Sequence, residues 1–340
     1  MNDRFRVLVD NRWVGNQGIA RFGREVIKRL PNVETLPSSV RLFNPIDPLW
    51  LSWVIRRKAP SVYFSPGFNP PWRSSVPFVF VIHDLNYIDC SENSDFLRKA
   101  YFNNIVKPAC RRAAKIITVS DFSGDRIVEW AGIPAERVEK VVEGVGSDFT
   151  PNGGRFDIGR PYILYVGNRL PHKNLPRLFT ALAVARIDCK LYLTGDPDST
   201  VSKLATSRGI SDRILFTGNV NDASLANLYR GAAAVVLPSL YEGFGLPIIE
   251  AMACGVPVLT SNVTSMPEIA GDAAVLVDPR SVEDIAAGLD SILSDQALRS
   301  KLVASGLIQA AKYSWDTTAS QIAAILLSES RRRAGETLLL

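Results

Sequence analysis

The residues best suited to chemistry lie in one continuous stretch, Pro238-Ser-Leu-Tyr-Glu-Gly-Phe-Gly-Leu-Pro-Ile-Ile-Glu-Ala-Met-Ala-Cys-Gly-Val-Pro-Val. It reads as a strand end, a glycine loop, a helix and the next strand. Gly243 and Gly245 let the backbone approach a ligand closely, and Pro247 fits the first turn of a helix. The unpaired N–H groups of that turn suit a phosphate or diphosphate. Glu242 in the loop and Glu250 on the helix stand eight positions apart. A carboxylate can accept two hydrogen bonds from vicinal hydroxyls, so the pair suits a sugar at one Glu and a ribose at the other.

Other candidates are sparser. Only two histidines occur, His83 and His172. His83 ends an apolar run and is followed by Asp84, which either orients it or caps the next turn. The four cysteines, Cys90, Cys110, Cys189 and Cys254, are far apart with no Cys-x-x-Cys, which argues for buried thiols rather than a zinc site, a redox pair or a disulfide framework. No spaced Asp/Glu cluster suggests a metal, and none is expected. A Gly-x-Ser-x-Gly elbow, a Walker A loop and a Gly-x-Gly-x-x-Gly fingerprint are all missing, which disfavours serine hydrolase, phosphate-loop ATPase and nicotinamide chemistry. Tyr63, Phe64, Phe68 and Trp72, interleaved with prolines, suit either an acceptor groove or ordinary packing.

To position these residues the chain must supply strands with functional loops at their carboxyl ends. Apolar stretches of strand length alternate with amphipathic helical segments, the pattern of βαβ units and parallel sheets. Strands are expected at 5–10, 40–43, 61–65, 78–83, 115–120 and 138–142, then at 162–167, 190–195, 214–218, 233–238, 257–261 and 274–278. Helices are expected at 281–293, 295–311 and 315–333. This is an α/β chain with two doubly wound parallel sheets. The Gly/Pro/Asn-rich residues 144–155 are the best linker, giving domains at 1–155 and 156–314, with a final helical segment, 315–340, expected to pack back on the first domain.

The 340 residues are 46% hydrophobic and 21% charged, which excludes a disordered or collagenous chain. No apolar run approaches the roughly 18 residues of a membrane-spanning helix, and no signal-peptide core is seen, so a cytoplasmic protein is expected. The net charge of +5 sits in the first half, where residues 1–150 hold 21 Lys/Arg against 16 Asp/Glu, while residues 151–340 hold 18 of each. Such an excess suits an anionic partner or membrane surface. No basic–aromatic repeat favours nucleic acid. Arg56-Arg57-Lys58 beside Trp50, Leu51, Trp53, Val54 and Ile55 reads either as an amphipathic membrane contact or as an ordinary surface helix.

The phrase Glu242-Gly-Phe-Gly-Leu-Pro-Ile-Ile-Glu250 resembles the signature of retaining glycosyltransferases of family 4. The similarity is continuous over residues 162–289, through Tyr165-Val-Gly-Asn-Arg-Leu-Pro-His-Lys-Asn, Phe216-Thr-Gly-Asn-Val and Ser265-Met-Pro-Glu-Ile-Ala-Gly-Asp-Ala-Ala. In the first half it survives in islands: Gly18-Ile-Ala-Arg-Phe, Val81-Ile-His-Asp-Leu and Ile117-Thr-Val-Ser-Asp-Phe-Ser. Those islands look most like bacterial mannosyltransferases of surface polysaccharide biosynthesis.

The resemblance implies a GT-B fold, two Rossmann-like domains facing a central cleft, with the acceptor on the first domain and the nucleotide sugar on the second. It implies no cofactor and a nucleoside diphosphate sugar donor, GDP-mannose being the best match. By the same resemblance Glu250 holds the ribose, Glu242 contacts the donor sugar and Lys173 the diphosphate. Gly243, Phe244, Gly245 and Leu246 complete the donor loop, and Gly18, otherwise an ordinary turn residue, belongs to a backbone cradle. The family usually places a basic residue directly after the loop glycine; here Asn168 follows Gly167 and the base is Arg169. His83 would hydrogen-bond the transferred sugar, making His83, Lys173 and Glu242 the catalytic candidates. Asp84, Arg56, Arg57 and Trp72 are acceptor-side candidates, for a glycan or a polyprenyl-diphosphate-linked oligosaccharide at the inner face of the plasma membrane. A nucleotide-sugar epimerase or phosphorylase on the same architecture, or a non-catalytic nucleotide-sugar or glycan binder, are the alternatives.

Overall fold

The computed structural model describes residues 5–334 except 14, 16, 17, 38–41, 43, 91 and 93–95. The chain forms two compact units, residues 1–144 with 315–340, and residues 145–314.

The first unit is built on a six-stranded sheet of β1 (Val7–Val9), β2 (Val33–Thr35), β3 (Val62–Ser65), β4 (Phe78–Val81), β5 (Lys115–Thr118) and β6 (Val138–Lys140), in the order β2-β1-β3-β4-β5-β6. All its pairings are parallel. The order reverses between β1 and β3. β1, β3 and β4 are buried at every residue, as expected for a parallel sheet covered on both faces.

One expected strand is displaced. Of residues 40–43, Leu42 sits in a turn and the other three lie outside the described residues. The second strand is instead Val33–Thr35, an edge strand whose short Val-Glu-Thr run is half-buried to exposed and therefore carries little apolar signal. The helix Trp315–Ala334 packs into this unit: Trp315 lies edge-on to Phe22 at 6.1 Å, and Ile322 and Leu326 are fully buried. The Thr318 hydroxyl donates to the Val142 carbonyl at 2.8 Å.

The second unit carries β7 (Tyr162–Tyr165), β8 (Lys190–Leu193), β9 (Ile214–Phe216), β10 (Ala234–Leu237), β11 (Val258–Ser261) and β12 (Ala274–Val277). They are parallel and ordered β12-β11-β10-β7-β8-β9, the strand order of a doubly wound nucleotide-binding sheet, reversing between β7 and β10. Its helices begin where the sequence supplies caps. Asp198, Asn221, Ser281 and Asp295 each accept a backbone N–H from the first turn of the helix that follows. The Gly/Pro-rich residues 148–154 are fastened to this unit by buried Arg230, which donates to the carbonyls of Asp148, Thr150 and Gly154 at 3.3, 3.1 and 2.7 Å.

Candidate active site

In an open parallel sheet the ligand crevice lies beyond the carboxyl ends of the strands where the order reverses. In the second unit that place is the pair of loops after β7 and β10. Lys173 follows β7 and Glu242 follows β10, 69 residues apart, and they meet: Lys173 Nζ donates to Glu242 Oε1 at 2.6 Å and to Oε2 at 2.9 Å. Both side chains are nearly buried, at 12% and 11% exposure, so the pair is shielded from the screening that weakens surface ion pairs. Ser239 Oγ adds a donor to Glu242 Oε1 at 2.7 Å.

Hydroxyls from the end of β11 and its following turn fasten this loop. Ser261 Oγ donates to the Ser239 carbonyl at 2.6 Å, and Ser265 Oγ lies 2.9 and 3.1 Å from the carbonyls of Glu242 and Phe244. Thr264 Oγ1 accepts from the Glu242 amide at 3.3 Å, with Thr264 itself held at φ 58°. Gly245 then starts the Leu246–Ala253 helix at φ 101°, where a Cβ would stand 3.0 Å from Ile248 Cδ1. Only glycine enters this turn without strain. No side chain caps the helix; Pro247 has no N–H and the Ile248 amide turns back to the Gly245 carbonyl at 2.9 Å, which leaves the Leu246 amide as the donor of the first turn. Gly243 is buried in the loop and Leu246 half-buried at the helix start.

Glu250, one turn further on, is 2% exposed and accepts a hydrogen bond from the Tyr229 hydroxyl at 2.9 Å. Phe244, expected in the donor loop, has its side chain buried edge-on against Tyr313, at 5.7 Å. Arg169 is drawn to the end of β8: it donates to the carbonyls of Asp196 and Thr194 at 2.6 and 3.4 Å, lies 3.8 Å from Asp198 and stacks over Phe216 at 5.1 Å. Beside Lys173, burial and the lysine's charge push the His172 imidazole down to about 4, so it is neutral at pH 7. Tyr165 follows the same logic: burial, then the Glu242 carboxylate, raise its phenol well above the usual value. It stays protonated and donates to the Asn168 carbonyl at 2.7 Å.

In the first unit, His83 follows β4 and is 8% exposed. Its Nε2 stands 3.0 Å from the Pro66 carbonyl and its Nδ1 3.1 Å from Glu143 Oε1, with Phe22 edge-on at 4.8 Å. Both ring nitrogens thus face oxygens, and a carbonyl can only accept, so Nε2 carries a proton. Asp84 Oδ1 accepts the Asn86 amide at 2.9 Å, closing the following turn. Gly18, at φ 50°, opens the Ile19–Ile27 helix; Asn16 and Gln17 of the same loop lie outside the described residues. Arg56 and Arg57 are exposed on the Asp47–Lys58 helix, Arg57 over the Trp53 ring at 5.3 Å, and Trp72 is 44% exposed with Arg112 over it at 5.8 Å.

Sequence reasoning missed the group at the β1/β3 reversal. Arg12 binds Asp10 at 2.8 Å through both Nε and Nη2, and Asp47 at 2.7 Å through Nη1. Asn69 Nδ2 donates to both carboxylates at 3.1 and 2.7 Å, and the Tyr101 hydroxyl donates to Asn69 Oδ1 at 2.8 Å. Asp10 directly after a strand was the one sequence cue; Asp47 arrives from the first turn of the Asp47–Lys58 helix and Asn69 from the loop after β3. Among the described residues, no three His, Cys, Asp or Glu side chains converge as a metal site, and no helix is long and apolar enough to cross a membrane.

Two doubly wound sheets with a charged loop at the nucleotide-type reversal are the plan of a GT-B glycosyltransferase. The comparisons agree. The chain matches the family described as "Glycosyl transferases group 1" over residues 148–308 and "Glycosyltransferase Family 4" over residues 9–149. It is 33% identical over 301 residues to O-antigen chain mannosyltransferase B of Escherichia coli, covering 84% of this chain and 79% of that one. Its fold is similar to that of sucrose-phosphate synthase from Thermosynechococcus elongatus, with TM-score 0.79, 18% identity, and 98% and 100% of the two chains covered. It is also similar to Anabaena HepE in complex with UDP and glucose, with TM-score 0.74, 19% identity, and 95% and 100% covered. The chain belongs to glycosyltransferase family 4.

Proposed function

We propose that this glycosyltransferase moves a mannosyl residue from GDP-mannose to a hydroxyl of a glycan or polyprenyl-diphosphate-linked oligosaccharide, with retention of configuration, in assembly of a bacterial surface polysaccharide. The observation that carries the reading is the nearly buried Lys173–Glu242 pair at the β7/β10 reversal, beside the uncapped helix start at Gly245. The mannosyltransferase relative supports the choice of sugar.

In this reading Glu250, fixed by Tyr229, takes the ribose hydroxyls. Lys173 and the Leu246 amide at the start of the Leu246–Ala253 helix take the diphosphate, with Arg169 at its margin. Glu242 accepts from hydroxyls of the sugar, and the Gly18 turn supplies backbone to the donor phosphate. His83, with Nδ1 held by Glu143, exchanges the Pro66 carbonyl at Nε2 for a hydroxyl of the transferred sugar. The sugar C1–O bond to the β-phosphate breaks while a C1–O bond to the acceptor forms on the same face; the departing phosphate oxygen takes the acceptor proton, and the nucleoside diphosphate leaves. Lys173 and the helix dipole offset the charge that develops on that oxygen. The first unit holds the acceptor. Its Asp47–Lys58 helix, with Ile46, Leu49 and Trp53 exposed beside Arg56 and Arg57, faces an anionic bilayer at the cytoplasmic side.

A panel of GDP, UDP and ADP tests the donor. A nucleotide at 100 times its Kd stabilises by about 2.7 kcal/mol, and GDP is expected to raise the melting temperature most. Stabilisation by UDP alone would replace mannose with a UDP-linked sugar. Lys173→Ala is expected to cost about 10²–10³ in kcat, measured by nucleotide release with acceptor present; unchanged turnover would remove Lys173 from the mechanism.

A further inference from the structure

A second gathering of cations lies at the amino edge of the first unit's sheet, at the opposite strand ends from His83. An open cavity of about 630 Å3 is lined there by Arg73, Arg112, Arg332, Glu329 and Ser74, with Phe78 at the start of β4 in its apolar wall. Three guanidinium groups face one carboxylate, and that carboxylate is taken, Glu329 pairing with Arg332 at 3.2 Å.

Among the described residues, neither Arg73 nor Arg112 has a carboxylate partner. Burial and then the nearby charge of Arg73 lower the pKa of Arg112. The backbone that carries Arg73 is braced: the Arg73 amide donates to Ser52 Oγ at 2.9 Å, the Trp72 amide to the Pro48 carbonyl at 2.9 Å, and Ser74 Oγ to the Val76 carbonyl at 2.6 Å, while the side chains of Arg73 and Arg112 reach solvent. Trp72 lies under the Arg112 guanidinium at 5.8 Å. Paired guanidinium forks without a counter-charge suit an anion that carries two charges and accepts several hydrogen bonds.

We infer that this cavity is a phosphoryl-binding site in which Arg73 and Arg112 grip the phosphate oxygens, separate from the Lys173–Glu242 site and independent of the transfer reading. The phosphoryl group belongs to a soluble phosphate ester or to an anionic lipid headgroup, and both present the same oxygens to the arginines.

Inorganic pyrophosphate is titrated into the full chain at low salt, read by Trp72 fluorescence, with Trp72→Phe defining that signal. Vesicles of phosphatidylglycerol or phosphatidylcholine are sedimented with the chain in parallel. A saturable Trp72 response that weakens by about tenfold or more in Arg73→Gln/Arg112→Gln supports a soluble ligand. Sedimentation with phosphatidylglycerol alone, lost in the same variant, supports a lipid phosphate. Arg73→Lys/Arg112→Lys keeps the charge but loses the forks. It is expected to weaken either response with an unchanged melting curve, and it replaces the glutamine variant if that one unfolds. Binding in both arms that is indifferent to these substitutions, or no binding in either arm, overturns the inference.

Discussion

Replacing Arg12 with leucine should unbalance the first unit at its centre. Its guanidinium stands between two carboxylates, Asp10 and Asp47, that are 0% exposed. The cluster already holds one negative charge more than positive, offset by the amide of Asn69 and the hydroxyl of Tyr63 at 3.4 Å from Asp10. Without the cation two buried anions are left with neutral donors, the Asn69 amide, the Tyr63 hydroxyl and the main-chain amide of residue 12. Breaking a buried pair in this way costs about 3–5 kcal/mol, a large share of the ~5–15 kcal/mol that holds a domain folded. Asp47→Asn leaves one anion against one cation and should cost about 1–2 kcal/mol.

Because Asp47→Asn removes one of the anions that Arg12→Leu strands, the double variant should be less destabilised than the sum of the two. Urea unfolding followed by tryptophan fluorescence reads this, since Arg12 lies over the Trp50 ring at 5.0 Å. An Arg12→Leu chain within 1 kcal/mol of the parent at pH 7.5 (a margin well below the pair cost) refutes the reasoning.

Three further outcomes are expected. His172 titrates near 4 in the native state and near 6.5 unfolded, so the unfolded chain binds the extra proton between those values and stability falls as pH drops through that window; His172→Gln should flatten this part of the melting-temperature profile, and an unaltered slope would discount the histidine. Ser265→Ala removes the hydroxyl beneath the Glu242 and Phe244 carbonyls, which should lower the melting temperature of the second unit by about 3–8 °C on calorimetry and raise the donor KM. Tyr229→Phe removes the hydroxyl that fixes Glu250 and should raise the nucleotide Kd by about tenfold on titration calorimetry; an unchanged Kd would separate Glu250 from the ribose.

The two sheets were legible because parallel strands covered on both faces appear as short uninterrupted apolar runs, as in Phe78–Val81 and Ala234–Leu237. Val33–Thr35 escaped because an edge strand exposed to water has no such run. The proximity of Lys173 and Glu242 was foreseeable, since each follows a strand flanking the reversal. Tyr229 and Glu143 gave no cue, and Ser265, though it heads one of the family-like segments, gave none to its role beneath the Glu242 loop. Each acquires its significance from a partner 21 to 60 residues away, and isolated tyrosine, serine or glutamate codes for nothing in particular. The path of Arg169 was equally hidden, because its partners are main-chain carbonyls and the face of Phe216, which residue types do not announce.

The helix Trp315–Ala334 completes the first unit from beyond the second, which sets an order on biosynthesis. Residues 145–314 can finish folding as soon as they clear the ribosome, while the earlier-made strands β1 to β6 wait for Trp315, Ile322 and Leu326 to cover them. The first unit is therefore begun before the second and closed after it, and its strands carry uncovered apolar surface in between.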